Sequence, residues 1–89
     1  MQTIWKFPIY VIDSQPVKMP KGAEILTVQL QGDQIYLWAM VDDGAKPETR
    51  IIEVFGTGNP IPVNMGTNRT FIGTFQSPPC VWHVFERTQ

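Results

Sequence analysis

Gly22–Asp43, GAEILTVQLQGDQIYLWAMVDD, alternates side chains with a period of two and reverses direction in its middle. Such a stretch reads as a β-hairpin. In its first arm Leu26, Val28 and Leu30 fall on one face and Ile25, Thr27 and Gln29 on the other. Gly32-Asp33 supplies the turn, because a Gly placed first in a two-residue connection takes up a positive φ at least cost. In the second arm Ile35, Leu37, Ala39 and Val41 share one face while Tyr36, Trp38 and Met40 share the other, so this arm is apolar on both sides. A strand of that kind belongs at the centre of a sheet, with its second face covered by another layer or another subunit.

Outward from the hairpin, the chain continues as strands and turns. Thr3 to Ile12 reads as a first strand, with Trp5, Phe7, Ile9 and Val11 on one face; Pro8 lacks a ladder donor and puts it at a sheet edge or interrupts it. Asp13 to Pro20 reads as a loop stiffened by Pro16 and Pro20. Thr49 to Phe55 is the next strand, expected to pair with the hairpin's second arm across the polar run Asp42–Pro47. Gly56 to Pro62 stops it, and the residues from there to Asn68 read as loop or a short turn. Thr70 to Gln76 carries Phe71, Gly73 and Phe75 on one face, with Gly73 marking a bend or a close backbone approach; Cys80 to Arg87 is the last strand. The expectation is a single all-β domain over residues 1–89: about six mostly antiparallel strands in a small sandwich or barrel with a meander core.

Composition narrows the function classes. The formal net charge is −1 and the seven basic residues are scattered, which argues against non-specific nucleic-acid binding; eight dispersed carboxylates make no acidic mimic either. No apolar run approaches the roughly 20 residues of a membrane-spanning helix, and the N-terminal stretch lacks a signal-peptide cleavage pattern. A lone cysteine, Cys80, suits a reducing compartment, so a cytoplasmic location is expected. With one histidine and no zinc spacing, neither a metal site nor a cofactor is expected. Cys80 and His83 lie three apart, on opposite faces of a strand, and form no nucleophile–base pair. The chain reads as a protein that is not an enzyme.

What remains points to binding. Gly56-Thr57-Gly58-Asn59 can form an anion-binding nest, although two glycines also serve a tight turn. Trp5, Trp38 and Trp82 are many large aromatics for so short a chain, and a second apolar face on the hairpin invites self-association into a homo-oligomer. Clefts near such an interface suit a nucleotide, its base stacked on an aromatic ring and its phosphates held by Arg69 or Arg50.

The segments IWKFPI (Ile4–Ile9), MPKGAEIL (Met19–Leu26), LWAMVD (Leu37–Asp42), FGTGNPI (Phe55–Ile61), FIGTFQ (Phe71–Gln76) and WHVFE (Trp82–Glu86) together resemble a family of small phage and prophage proteins known only as a domain of unknown function. The resemblance brings no activity with it. Its phage context implies an accessory, counter-defence role: a binding protein that sequesters a small nucleotide signal of host immunity. In that reading Thr57, Gly58, Asn59 and Arg69 hold phosphate, and Trp38, Trp82 or His83 contact the base. The alternative is an adaptor or inhibitor that grips a host protein through a sheet edge or aromatic patch.

Overall fold

The computed structural model describes residues 1–62 and 68–88. Seven strands follow one another among them: β1 (Gln2–Ile9), β2 (Gln15–Pro20), β3 (Glu24–Gln31), β4 (Gln34–Asp42), β5 (Pro47–Gly56), β6 (Arg69–Ser77) and β7 (Cys80–Arg87). They form two antiparallel sheets in the orders β1-β4-β3 and β2-β5-β7-β6, packed face to face as an all-β sandwich. Among the described residues no helix is long and apolar enough to cross a membrane. Of the segment read as loop or turn up to Asn68, residues 63–67 lie outside the described residues.

The β3–β4 hairpin forms as its pattern dictates. Gly32 turns it with φ of 63°, and β4 is the central strand of the three-stranded sheet. Ile35, Leu37, Ala39 and Val41 are buried, while Tyr36, Trp38 and Met40 are half-buried on the outer face. Val17, Met19, Ile52, Val54, Phe75 and Val84 face them from the other sheet and complete one core. Full burial of such aliphatic side chains stabilises by about 1.5–3 kcal/mol each. Pro8 lies in β1, an edge strand, as its missing donor requires.

Five expectations are corrected. Asp13 to Pro20 is not all loop, because β2 occupies most of it. The Lys21 N–H donates to the Lys46 carbonyl at 2.7 Å, and this sets the phase of the β2–β5 ladder so that Pro16 and Pro20 fall at positions with no inward N–H to lose. β5 does not pair with β4, whose two sides are already taken by β1 and β3; it crosses to the second sheet between β2 and β7, and the meander breaks there. A bulge between Ile25 and Thr27 brings Ile25 rather than Leu26 onto the core face, and another between Phe71 and Gly73 leaves Phe71 57% exposed while Phe75 is buried. β1 stops at Ile9, and Tyr10, Val11 and Ile12 run exposed through the bend to β2.

Gln15 makes that bend. Its side chain, only 5% exposed, accepts from the Tyr10 N–H at 2.9 Å and donates to the Tyr10 carbonyl at 2.7 Å, standing in for a ladder rung where the chain passes between sheets.

Candidate functional site

β2 ends before β5 does. Gln15–Ile52 is their last pair, and the ladder phase directs the backbone groups of even-numbered β5 residues toward β2. The opposite edge of β5 confirms the phase: the Thr57 N–H donates to the Val81 carbonyl at 3.1 Å, in step with the Phe55–His83 and Glu53–Phe85 pairs. The Val54 N–H and carbonyl and the Gly56 N–H therefore face a gap, while the Gly56 carbonyl is taken by the turn that follows. Continued in register, β2 would have met them with Asp13 and Val11, but that segment bends away, closed by an Ile12 N–H to Tyr10 carbonyl bond of 2.9 Å. The gap is the floor of a cleft of about 470 Å³, walled by residues 11–14 on one side and by Asn59, Pro60 and Trp82 on the other, with Arg87 lining it too. Its volume lies within the range of small-molecule sites.

Gly56 lets the far wall close. A Cβ there would lie 2.8 Å from Asn59 Nδ2 and 3.0 Å from Trp82 Cζ3, so only a glycine allows that amide and that ring to approach the strand together. The turn that follows is tied down. Asn59 donates its N–H to the Gly56 carbonyl at 3.0 Å, and Gly58 takes φ of 87°. Two of the N–H groups that an anion nest would use, those of Thr57 and Asn59, are already bonded within the protein. Thr57 Oγ1 also lies 2.7 Å from His83 Nε2, while Thr74 Oγ1 lies 2.9 Å from Nδ1, so both nitrogens of His83 are engaged on the outer face of the four-stranded sheet.

Beside the cleft sits a buried charge. Glu53 is 2% exposed and receives two guanidinium groups: Arg69 donates from Nε to Oε1 at 2.6 Å and from Nη2 to Oε2 at 3.5 Å, and Arg87 donates from Nη2 to Oε2 at 2.6 Å. Arg69 also lies over the Phe55 ring, 5.7 Å from its centroid. Burial pushes the Glu53 carboxyl up, but the hydrogen bonds from Arg69 and Arg87 outweigh it and hold its pKa below the usual value. Arg50, the other cation read as a phosphate partner, is clamped by Glu86 and donates to the Ala23 carbonyl at 2.9 Å.

Of the residues singled out from sequence, the structure brings Asn59 and Trp82 together in the cleft and sets Thr57 and Gly58 in the adjoining turn with His83 below. Arg69 stands behind Glu53, engaged by it. Trp38 is on the outer face of the other sheet, where Lys6 Nζ rests 4.4 Å from the Tyr36 centroid and 5.7 Å from that of Trp38; within one protomer it cannot share a ligand with Trp82. Sequence reasoning missed Val54 and the strand-edge role of Gly56, which it read only as part of a nest or turn, and it missed Asp13 and Arg87. The first two act through backbone exposed by strand order, which no side-chain pattern encodes. Among the described residues no group of three or more His, Cys, Asp or Glu side chains lies close enough to hold a metal ion.

The chain belongs, over residues 1–89, to the family described as Domain of unknown function (DUF7352). No curated protein and no solved structure matches it.

Proposed function

We propose that this member of a family of unknown function is a non-catalytic binding protein that sequesters a small nucleotide in the cleft at the end of β5. The observation that carries the reading is the edge of β5 past Ile52, where the Val54 N–H and carbonyl and the Gly56 N–H meet no strand among the described residues and face the wall formed by Asn59 and Trp82. A nucleobase carries donors and acceptors along one planar edge, so it can complete those rungs while its face packs on the indole. The phage-like segments supply the context: sequestration of a nucleotide immune signal in the cytoplasm of a host cell. The half-buried Tyr36, Trp38 and Met40, with exposed Ile4 beside them, supply an apolar face through which protomers would associate.

Native mass spectrometry with a panel of linear and cyclic nucleotides tests both parts at once. The expected result is a defined oligomer carrying nucleotide mass in fixed stoichiometry, lost in Gly56→Val, whose side chain displaces Asn59 and Trp82. Bare protein across the whole panel overturns the reading.

A second reading is favoured by the exposed run Tyr10-Val11-Ile12 beside the same gap. There an extended segment of a host protein adds the missing rungs and covers these side chains, making the protein an adaptor or inhibitor. A specific protein partner co-purifying from host lysate, lost when Val11 and Ile12 are changed to Ser, distinguishes it.

A further inference from the structure

Resting on the nucleotide reading above, we infer that Arg87 is the anion-binding residue of the cleft and that it takes a singly charged phosphodiester in preference to a terminal phosphate.

The charges around the cleft do not cancel as simple pairs. Glu53 is one carboxylate shared by two guanidinium groups, and Arg69 engages it through two nitrogens. Arg87 gives it a single N–H, from Nη2, which is its only side-chain hydrogen bond among the described residues. Arg87 Nε is shielded from solvent and has no partner among the described residues, an unusual state for a charged donor. The two cations also differ in reach: the Arg69 side chain is 13% exposed and does not line the cleft, whereas that of Arg87 is 37% exposed and does. Two guanidinium groups on one carboxylate leave the cluster with one net positive charge, and Arg87 is the member that carries it to the cleft. Its planar fork suits two oxygens of a phosphate.

Asp13 decides how much charge that ligand carries. It lines the same cleft and makes no ion pair with Arg87. A ligand charge paired with Arg87 uses the one positive charge that the Glu53 cluster has in surplus. A second anionic charge finds no further cation there among the described residues and faces Asp13. A phosphate monoester carries about −1.5 to −2 at neutral pH and meets net repulsion there. A phosphodiester carries one charge, which Arg87 alone can match. A cyclic nucleotide joins such a diester to a base within one small molecule.

Isothermal titration at pH 7.5 and fixed salt compares adenosine, adenosine 5′-monophosphate and adenosine 3′,5′-cyclic monophosphate, with the guanine series and cyclic dinucleotides alongside. The expected result is that the diesters bind at least tenfold more tightly than the nucleoside or the monophosphate of the same base. Arg87→Gln lowers diester affinity at least tenfold. Asp13→Asn strengthens monophosphate binding several-fold, and this exposed position decides the matter should the Arg87 variant not fold. Nucleosides that bind as tightly as diesters, an Arg87→Gln protein with undiminished affinity, or an Asp13→Asn protein without gain overturns the inference and leaves the cleft reading standing. No binding by any member of the panel, nucleosides included, removes both.

Discussion

Gly73 of β6 passes so close to Val28 of β3 that a Cβ at position 73 would lie 3.0 Å from Val28 Cγ1. The two strands are edges of different sheets, so this approach seals one side of the sandwich. Gly73→Val has no room there and is expected to destabilise the fold by about 1–3 kcal/mol, read as a lower urea midpoint. Val28→Ala in the same background opens the space and restores part of the loss, which a merely conformational effect at Gly73 would not allow.

Glu53→Gln leaves Arg69 and Arg87 facing each other without their shared carboxylate. Removing one member of a buried ion cluster costs about 3–5 kcal/mol, far more than exposed pairs are worth. Urea denaturation of the variant checks this; a loss below about 1 kcal/mol shows that water reaches the cluster and screens it.

The same carboxylate sets an acid limit. Because the pKa of Glu53 is lowered by folding, its contribution is fully present above the unfolded value near 4.5 and fades as pH falls through the lower folded value. Thermal melts from pH 7 down to pH 3 should fall below about pH 4.5, and the drop should be smaller in Glu53→Gln.

On the proposed reading, Trp38 and Trp82 serve two separate interactions. Trp38→Leu is expected to weaken self-association, since it trims the apolar outer face of the three-stranded sheet, while nucleotide affinity in the cleft stays within about twofold of the parent. Trp82→Leu reverses the pattern. Sedimentation and titration on the same two variants check this, and a Trp38 variant that loses the ligand shows that the cleft is shared between protomers.

The alternation of β4 could be read directly, because a strand buried on one face and half-buried on the other writes its geometry into successive residues. Bulges could not, since one inserted residue near Leu26 or Ile72 flips the faces that follow and leaves composition unchanged. β2 was hidden by Pro16 and Pro20, which argue against a strand until it is known to lie at an edge with those nitrogens turned outward. The site followed the same logic. Asn59 and Trp82 were legible as residue types suited to ligands, and Gly73 as a point of close approach. The engagement of Arg69 by Glu53 was not, because it needs β5, β7 and β6 side by side, and that order is a property of the whole chain.

The strand order also constrains how the chain can reach this structure. Only β3–β4 and β6–β7 join immediate neighbours in sequence, and each sheet contains one of these hairpins. Hairpins form within about 1–10 μs, so two local nuclei can arise independently, one in each sheet. β1 must then find β4 across an intervening strand that goes elsewhere, and β5 must leave β4 to dock on β7. Such non-local pairings place assembly in the millisecond-to-second range. Because the bend between β1 and β2 walls the cleft, the cleft exists only once both sheets have taken up their first strands.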